Sequence, residues 1–339
     1  MSGIDHANGH RPDGLLDMIH PLLQAAPRPD PDTLSYDLDR VLKAVVKLYA
    51  EVPSDAYTAA NLGTEREGSG LVLDSNGLVL TIGYLMSEAN HVILTINGGR
   101  EVAAEPIAYD HETGFGMVQA VEPMDVEPLD IGDSDTMTMG DSVVIASYGG
   151  LSHSIDGRVM SVREFAGSWE YLLDEAIYTM PVHPYWGGGA LIDSRGKLVG
   201  VGSLYVEQAV GETERLPGNM FVPINLLKPI RDAMLLTGRA DRPKRPWLAM
   251  HTADTTERLF VTGIGPDGPA DRAGVEPGDI VLSVEGVAVT DLAHMYRTIW
   301  GAGPPGTEIR LTMLRDDDVL SIRVRSSDRY NRMNLPRRH

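Results

Sequence analysis

The sequence predicts a mainly β protein made of one large β-rich unit and a smaller C-terminal domain. Three observations predict it. Residues 68–210 break into short apolar segments separated by turn signals: Asp74-Ser75-Asn76-Gly77, Asn97-Gly98-Gly99, Gly132-Asp133-Ser134-Asp135 and Asp193-Ser194-Arg195-Gly196. Many short strands joined by such turns make a barrel or a sandwich. Residues 239–246, Arg239-Ala240-Asp241-Arg242-Pro243-Lys244-Arg245-Pro246, are basic, proline-punctuated and poor in apolar side chains, as a linker is. At 339 residues the chain exceeds a typical single domain, and the stretch beyond that linker is long enough for one small domain.

The elements follow in order. Residues 1–34 read as a partly disordered N-terminal arm, in which Leu15, Leu16, Met18, Ile19, Leu22 and Leu23 take helical spacing that Pro21 interrupts. Packing on its own domain and docking on a partner or subunit both remain open for this arm. Residues 35–238 form the β-rich domain. It begins with a helical start (Leu38, Val41, Leu42) that passes into a strand over Val45–Val52, and it ends with a helix around 225–237 carrying Leu226, Leu227, Ile230, Met234 and Leu235. After the 239–246 linker, residues 247–327 make the second domain, with a helix at about 291–301. The last segment, 328–339, is a basic tail expected to be solvated.

Composition narrows the function classes. An apolar content of 42% with 23% charged residues is ordinary for a globular protein. The formal charge of −19 repels polyanions and argues against nucleic acid and anionic membranes as partners. With no cysteine there is no disulfide, thiolate nucleophile or cysteine metal site. No apolar run approaches the roughly 18 residues of a membrane span. The stretch Met1–Pro12 lacks the basic and apolar regions of a secretory signal. The expected location is cytoplasmic, or periplasmic if the true start lies elsewhere.

Four motifs then appear in order. Gly68-Ser69-Gly70 is followed by Leu80-Thr81-Ile82-Gly83-Tyr84, then by Asp110-His111-Glu112-Thr113-Gly114-Phe115-Gly116. Next come Leu129-Asp130-Ile131-Gly132-Asp133-Ser134-Asp135 with Gly140-Asp141-Ser142-Val143-Val144-Ile145-Ala146, and finally His183-Pro184-Tyr185-Trp186-Gly187-Gly188-Gly189-Ala190-Leu191. Their order and spacing resemble the HtrA family, trypsin-like proteases followed by a PDZ domain, over most of 45–325. The C-terminal part resembles a PDZ core through Gly268-Pro269-Ala270, Ala273-Gly274, Pro277-Gly278-Asp279-Ile280 and Val284-Glu285-Gly286. The resemblance implies a two-barrel chymotrypsin/trypsin-like domain followed by a C-terminal PDZ domain.

Within that frame the catalytic residues are missing. Tyr84 stands where the family has histidine, Gly114 where it has aspartate and Gly187 where it has serine. A serine nucleophile needs a base that takes and returns a proton near neutral pH, held in one tautomer by a carboxylate. A phenol titrates near 10, and glycine offers no atom to acylate. Tyr185 and Trp186 replace the family's Gly-Asn in the former oxyanion loop. The catalytic set is therefore expected to be empty, which points to a pseudoprotease. His111, His183 and Ser194 are the nearest substitutes, each more simply read as structural or surface residues.

The resemblance assigns Trp247, Leu248, Ala249 and Met250 to the peptide-binding loop and groove strand of the PDZ domain, with Ala249 in place of a family glycine. It implies partners that are proteins or peptides with free C-termini, and a homo-oligomer, a trimer in the family. An active HtrA-class serine endopeptidase with a non-standard constellation is the alternative, as is regulation of an active paralogue by mixed oligomerisation. No cofactor and no metal is expected, since the only close histidine pair, His6 and His10, lies in the terminal arm.

Overall fold

The computed structural model describes Pro21 and residues 26–335 apart from 97, 212–214 and 256–257. The arm helix expected over 13–25, except Pro21, and the His6–His10 pair lie outside the described residues. The rest divides into two compact units. One takes in the described residues up to Arg163, then Glu175–Asp241 and residues 334–335; the other takes in Glu164–Asp174 and Arg242–Met333.

The first unit contains two closed six-stranded barrels. In the first barrel β1 (Val45–Glu51), β2 (Glu65–Val72), β3 (Leu78–Ile82), β4 (His91–Thr95), β5 (Glu101–Tyr109) and β6 (Phe115–Ala120) close in the order β1-β2-β3-β6-β5-β4. The second closes β7 (Ser142–Ala146), β8 (Ser154–Gly167), β9 (Tyr171–Met180), β10 (Ala190–Ile192), β11 (Leu198–Val206) and β12 (Gly218–Pro223) in the order β10-β11-β12-β9-β8-β7. Closure removes the free edges that short antiparallel strands would otherwise expose. Alternation is plain in β5, where Val102 and Ala104 are buried between exposed neighbours.

The turn signals act through side-chain caps. Asp74 Oδ1 accepts from the Asn76 and Leu78 amides at 2.9 and 3.0 Å, and Gly77 at φ +85° closes the β2–β3 connection. Asp193 Oδ1 does the same for Arg195 and Lys197, both at 2.9 Å, between β10 and β11. Aspartate holding amides two and four residues on is the Asx-turn chemistry that made these stretches readable. The helical start before β1 is α1 (Leu38–Lys43), capped by Asp37, whose carboxylate accepts from the Arg40 amide. The single helix expected around 225–237 is instead a 3-10 turn over Ile224–Leu227 followed by α2 (Arg231–Thr237), ended by Gly238 at φ +79°.

The second unit holds a sheet in the order β13-β14-β15-β17-β18, with β16 on β15. Its strands are β13 (Met250–Asp254), β14 (Leu259–Ile264), β15 (Ile280–Val284), β16 (Val287–Ala288), β17 (Glu308–Arg315) and β18 (Asp318–Arg325), with the helices Pro269–Arg272 and α3 (Leu292–Gly301). Asp291 caps α3 through the His294 amide. Met295, Tyr296 and Ile299 of α3 pack with Leu248, Val261, Leu311 and Val324 into one core. Leu172, at the start of β9 in the stretch Glu164–Asp174 that sequence reading assigned to 35–238, belongs to this core as well.

Two expectations about the ends of this unit change. The linker charges are engaged: Lys244 pairs with Asp328 at 2.6 Å and the Arg245 guanidinium lies 4.0 Å from the centre of the Trp300 ring. The start of the tail expected to be solvated is held down, with Arg329–Arg332 forming a 3-10 turn, Arg329 donating to the Trp169 carbonyl and Arg332 to that of Pro266. Arg329 and Arg332 find backbone acceptors that no charge count along the sequence displays.

Candidate functional site

Tyr84 lies in the 3-10 turn Gly83–Leu85 after β3, and Gly187 in the loop before β10. The fold brings them together, for a Cβ added at Gly187 would stand 3.0 Å from the Tyr84 hydroxyl and 3.8 Å from the Leu85 methyls. That hydroxyl donates to the Ser203 carbonyl of β11 at 2.7 Å. Gly114 reaches the same turn, its carbonyl accepting from the Gly83 amide at 2.6 Å. Its φ of +80° is the left-handed region, where an aspartate would be strained. The fold thus brings the three positions around one turn, with a phenol whose proton is directed at a carbonyl and two glycines.

The loop around Gly187 is stitched to its surroundings. In the serine-protease template the oxyanion hole comes from the amides of the nucleophile and of the residue two before it, here Gly187 and Tyr185. The Tyr185 amide donates to His183 Nδ1 at 3.1 Å. His183 Nε2 sits 3.0 Å from the His153 carbonyl, which only a protonated Nε2 satisfies, so Nδ1 is the acceptor. His183 is fully buried and its own amide donates to Asn219 Oδ1 at 2.7 Å. Trp186 is buried against Val182 and Tyr205, while the Gly187 carbonyl accepts from Ser69 of β2 at 2.8 Å. His183 is thereby a brace for the loop. His111 places Nδ1 3.1 Å from the Tyr109 hydroxyl, and Ser194 sits in the exposed β10–β11 turn with its carbonyl accepting from Ser35.

Sequence reading missed the charged clamp behind Tyr84. Arg66 is 5% exposed and donates to the carbonyls of Gly63, Tyr84 and Ser87 and to Thr58 Oγ1. Burial pulls its guanidinium down to about 10, with Glu88 and Tyr109 opposing the shift, so it stays charged at neutral pH. The buried Glu88 carboxylate accepts from the Tyr57, Thr58 and Asn334 amides. Neither residue belongs to a motif, and only the rarity of buried charge would have marked them.

In the second unit Trp247, Leu248, Ala249 and Met250 are all buried. Ala249 adopts φ +62°, the left-handed conformation that the family's glycine takes freely. Gly268 makes room for the extra methyl, since a Cβ there would lie 2.5 Å from that of Ala249. Successive amides around a left-handed residue form a concave anion site. Glu170 fills it: both carboxylate oxygens lie 3.1 Å from the Leu248 amide, and Oε1 lies 3.2 Å from that of Met250. Burial pushes the Glu170 carboxyl up to about 7, while Arg329 and the amides of Leu248, Met250 and Ala249 pull it down. No cluster of three or more potential metal ligands occurs among the described residues.

Residues 68–201 match the trypsin-like peptidase domain and residues 246–325 match the PDZ domain. Among curated proteins, a probable periplasmic serine endoprotease DegP-like of Halomonas elongata is 25% identical over 274 residues, covering 77% of this chain and 56% of its own length. The two matched domains and this relative support a likeness to the HtrA/DegP family. The Escherichia coli periplasmic pH-dependent serine endoprotease DegQ is 26% identical over 76% of this chain and 58% of its own length. The chain thus spans less than two thirds of these relatives. Among solved structures, the HtrA-type protease AlgW with decapeptide aligns over 88% of this chain and 98% of its own with a TM-score of 0.50 at 20% identity. A variant of AlgW with tripeptide gives 0.52 at 21%, over 86% of this chain and 96% of its own. At that identity the likeness speaks for the fold alone. The expectation of a cytoplasmic location is overturned, because relatives from Halomonas, Pseudomonas, Salmonella and Escherichia are named as periplasmic proteases.

Proposed function

We propose that this HtrA-type chain is a pseudoprotease, a periplasmic binding protein whose PDZ groove takes peptides with free C-termini and whose barrels serve as a docking frame, assembled as a homo-oligomer. The observation that carries the reading is the pairing of Tyr84 with Gly187. Where a hydroxyl and an imidazole should meet, there is a phenol hydrogen-bonded to Ser203 and no side chain at all. Removing triad members leaves only about 10³–10⁴-fold catalysis over water from the oxyanion hole and binding. The Tyr185 amide, directed to His183, weakens even that contribution. Trimer assembly is proposed from the family resemblance, with mixed oligomers with an active paralogue as a variant of it.

The relatives' names favour a second reading, an active serine-type endopeptidase with another constellation. Unfolded casein separates the two. The first reading expects no cleavage above a buffer control after repeated repurification, and no gain from single substitutions. Cleavage that tracks the protein through every column and survives Tyr84→Phe would sink it.

A further inference from the structure

We infer that the PDZ groove is filled by the chain's own β8–β9 hairpin tip, with the Glu170 carboxylate standing where the terminal carboxylate of a peptide would bind. The inference rests on the proposed reading of the groove as a C-terminal peptide site and names how that site is regulated. An external peptide binds by displacing the tip.

Four contacts make the tip a bound ligand. A PDZ ligand adds to a sheet edge as a strand and presents a carboxylate to backbone amides. β13 is the terminal strand of its sheet, and its Thr252 amide donates to the Ser168 carbonyl at 2.9 Å, the main-chain pairing such a ligand makes. Two residues on, Glu170 presents its carboxylate to Leu248 and Met250 in the left-handed turn at Ala249. Tyr296 of α3, the helix that flanks the groove, donates to the Gly167 carbonyl at 2.7 Å and lies 3.2 Å from the Glu170 amide. Leu172 then enters the core of the unit as an apolar anchor.

Further contacts fix the ends of the tip. Arg329 donates to the Trp169 carbonyl at 2.9 Å, and Arg297 of α3 bridges Glu164 and Asp174 on the two sides of the neck at 2.5 and 2.6 Å. Trp169 stacks on Tyr171 with ring centres 5.5 Å apart, which stiffens the tip on either side of Glu170. A side-chain carboxylate in this position differs from a terminal one in that the chain continues past it. The tip is therefore a tethered competitor at high effective concentration, and a free peptide of equal intrinsic affinity is outcompeted.

The test uses the full-length chain and a fluorescein-labelled decapeptide pool randomised at its last four positions, in free-carboxylate and C-terminally amidated forms. Hydrogen exchange at Leu248, Ala249 and Met250 is followed in parallel, with exchange in β17 and β18 reporting an intact sheet. Glu170→Ala is expected to accelerate exchange at those three amides and to tighten binding of the free-carboxylate pool by about tenfold or more. The amidated pool is expected to gain nothing, and Glu170→Gln, which keeps one acceptor oxygen, to fall between. If Glu170→Ala does not fold, saturating wild type with the free pool must accelerate exchange across 166–172. Unchanged exchange and unchanged affinity in both variants overturn the inference and leave peptide binding standing. Opened amides with no binding of the free pool to any form overturn the peptide-site reading itself, and the inference with it.

Discussion

The Tyr84 hydroxyl stands 3.0 Å from the point that a Cβ on Gly187 would occupy. The fold brings these two positions together, and the space around the loop admits a small side chain at one glycine and not at the next. Gly187→Ser is expected to fold with a stability within about 1 kcal/mol of wild type, the hydroxyl of Tyr84 shifting by a few tenths of an ångström. Gly188→Ala is expected to cost about 3 kcal/mol, since its Cβ would meet the Ser69 carbonyl at 2.0 Å and its φ is +72°. Urea unfolding of the two variants checks the contrast; equal losses would mean that the loop is not held as described.

Tyr84→Phe isolates the role of the phenol. It leaves the buried Ser203 carbonyl without the donor at 2.7 Å and is expected to destabilise the chain by about 1–2 kcal/mol. Equilibrium unfolding reads this directly. Unchanged stability would show that the hydroxyl is not committed to Ser203.

Ala249→Gly is expected to stabilise. An L residue in the left-handed region costs about 1–2 kcal/mol, and glycine gives back about 0.5–1 in backbone entropy, leaving a gain of about 0.5–1. A rise in Tm supports the strained loop. A fall would mean that the methyl packing beside Gly268 outweighs the strain.

The pH dependence of stability has a defined sign. Glu170 is pushed from 4.5 up to about 7 by burial, against the pull of Arg329 and the amides of Leu248, Met250 and Ala249; the Tyr296 hydroxyl also faces it, itself raised by burial and under the influence of Asp254. Between those values the folded chain keeps a proton that the unfolded chain has released, so stability falls as pH rises through the window. The full span is about 3 kcal/mol at 1.36 kcal/mol per unit. The difference between wild type and Glu170→Gln, measured by urea unfolding from pH 4.5 to 8, isolates this group. A difference independent of pH contradicts the assignment.

Much of the frame was legible because its signals are local. Asp74, Asp193 and Gly77 make their turns with neighbours within four residues, and Tyr296 and Ile299 lie on one side of a single helix. Tyr84 and Gly187 were legible only through a resemblance, because 103 residues separate them and no periodicity links them. Glu170 was illegible. It is one acid among 48 carboxylates, and its partner amides at Leu248 and Met250 carry no side-chain signal. Arg66 and Glu88 escaped for the same reason, since burial of a charge is decided by tertiary packing.

The central claim, that the protease cleft holds no nucleophile, is tested most directly by intact-mass spectrometry after exposure to a fluorophosphonate. The account predicts an unmodified chain at a reagent concentration that labels a control serine protease completely. A stoichiometric phosphonyl adduct that is lost on prior denaturation would contradict it.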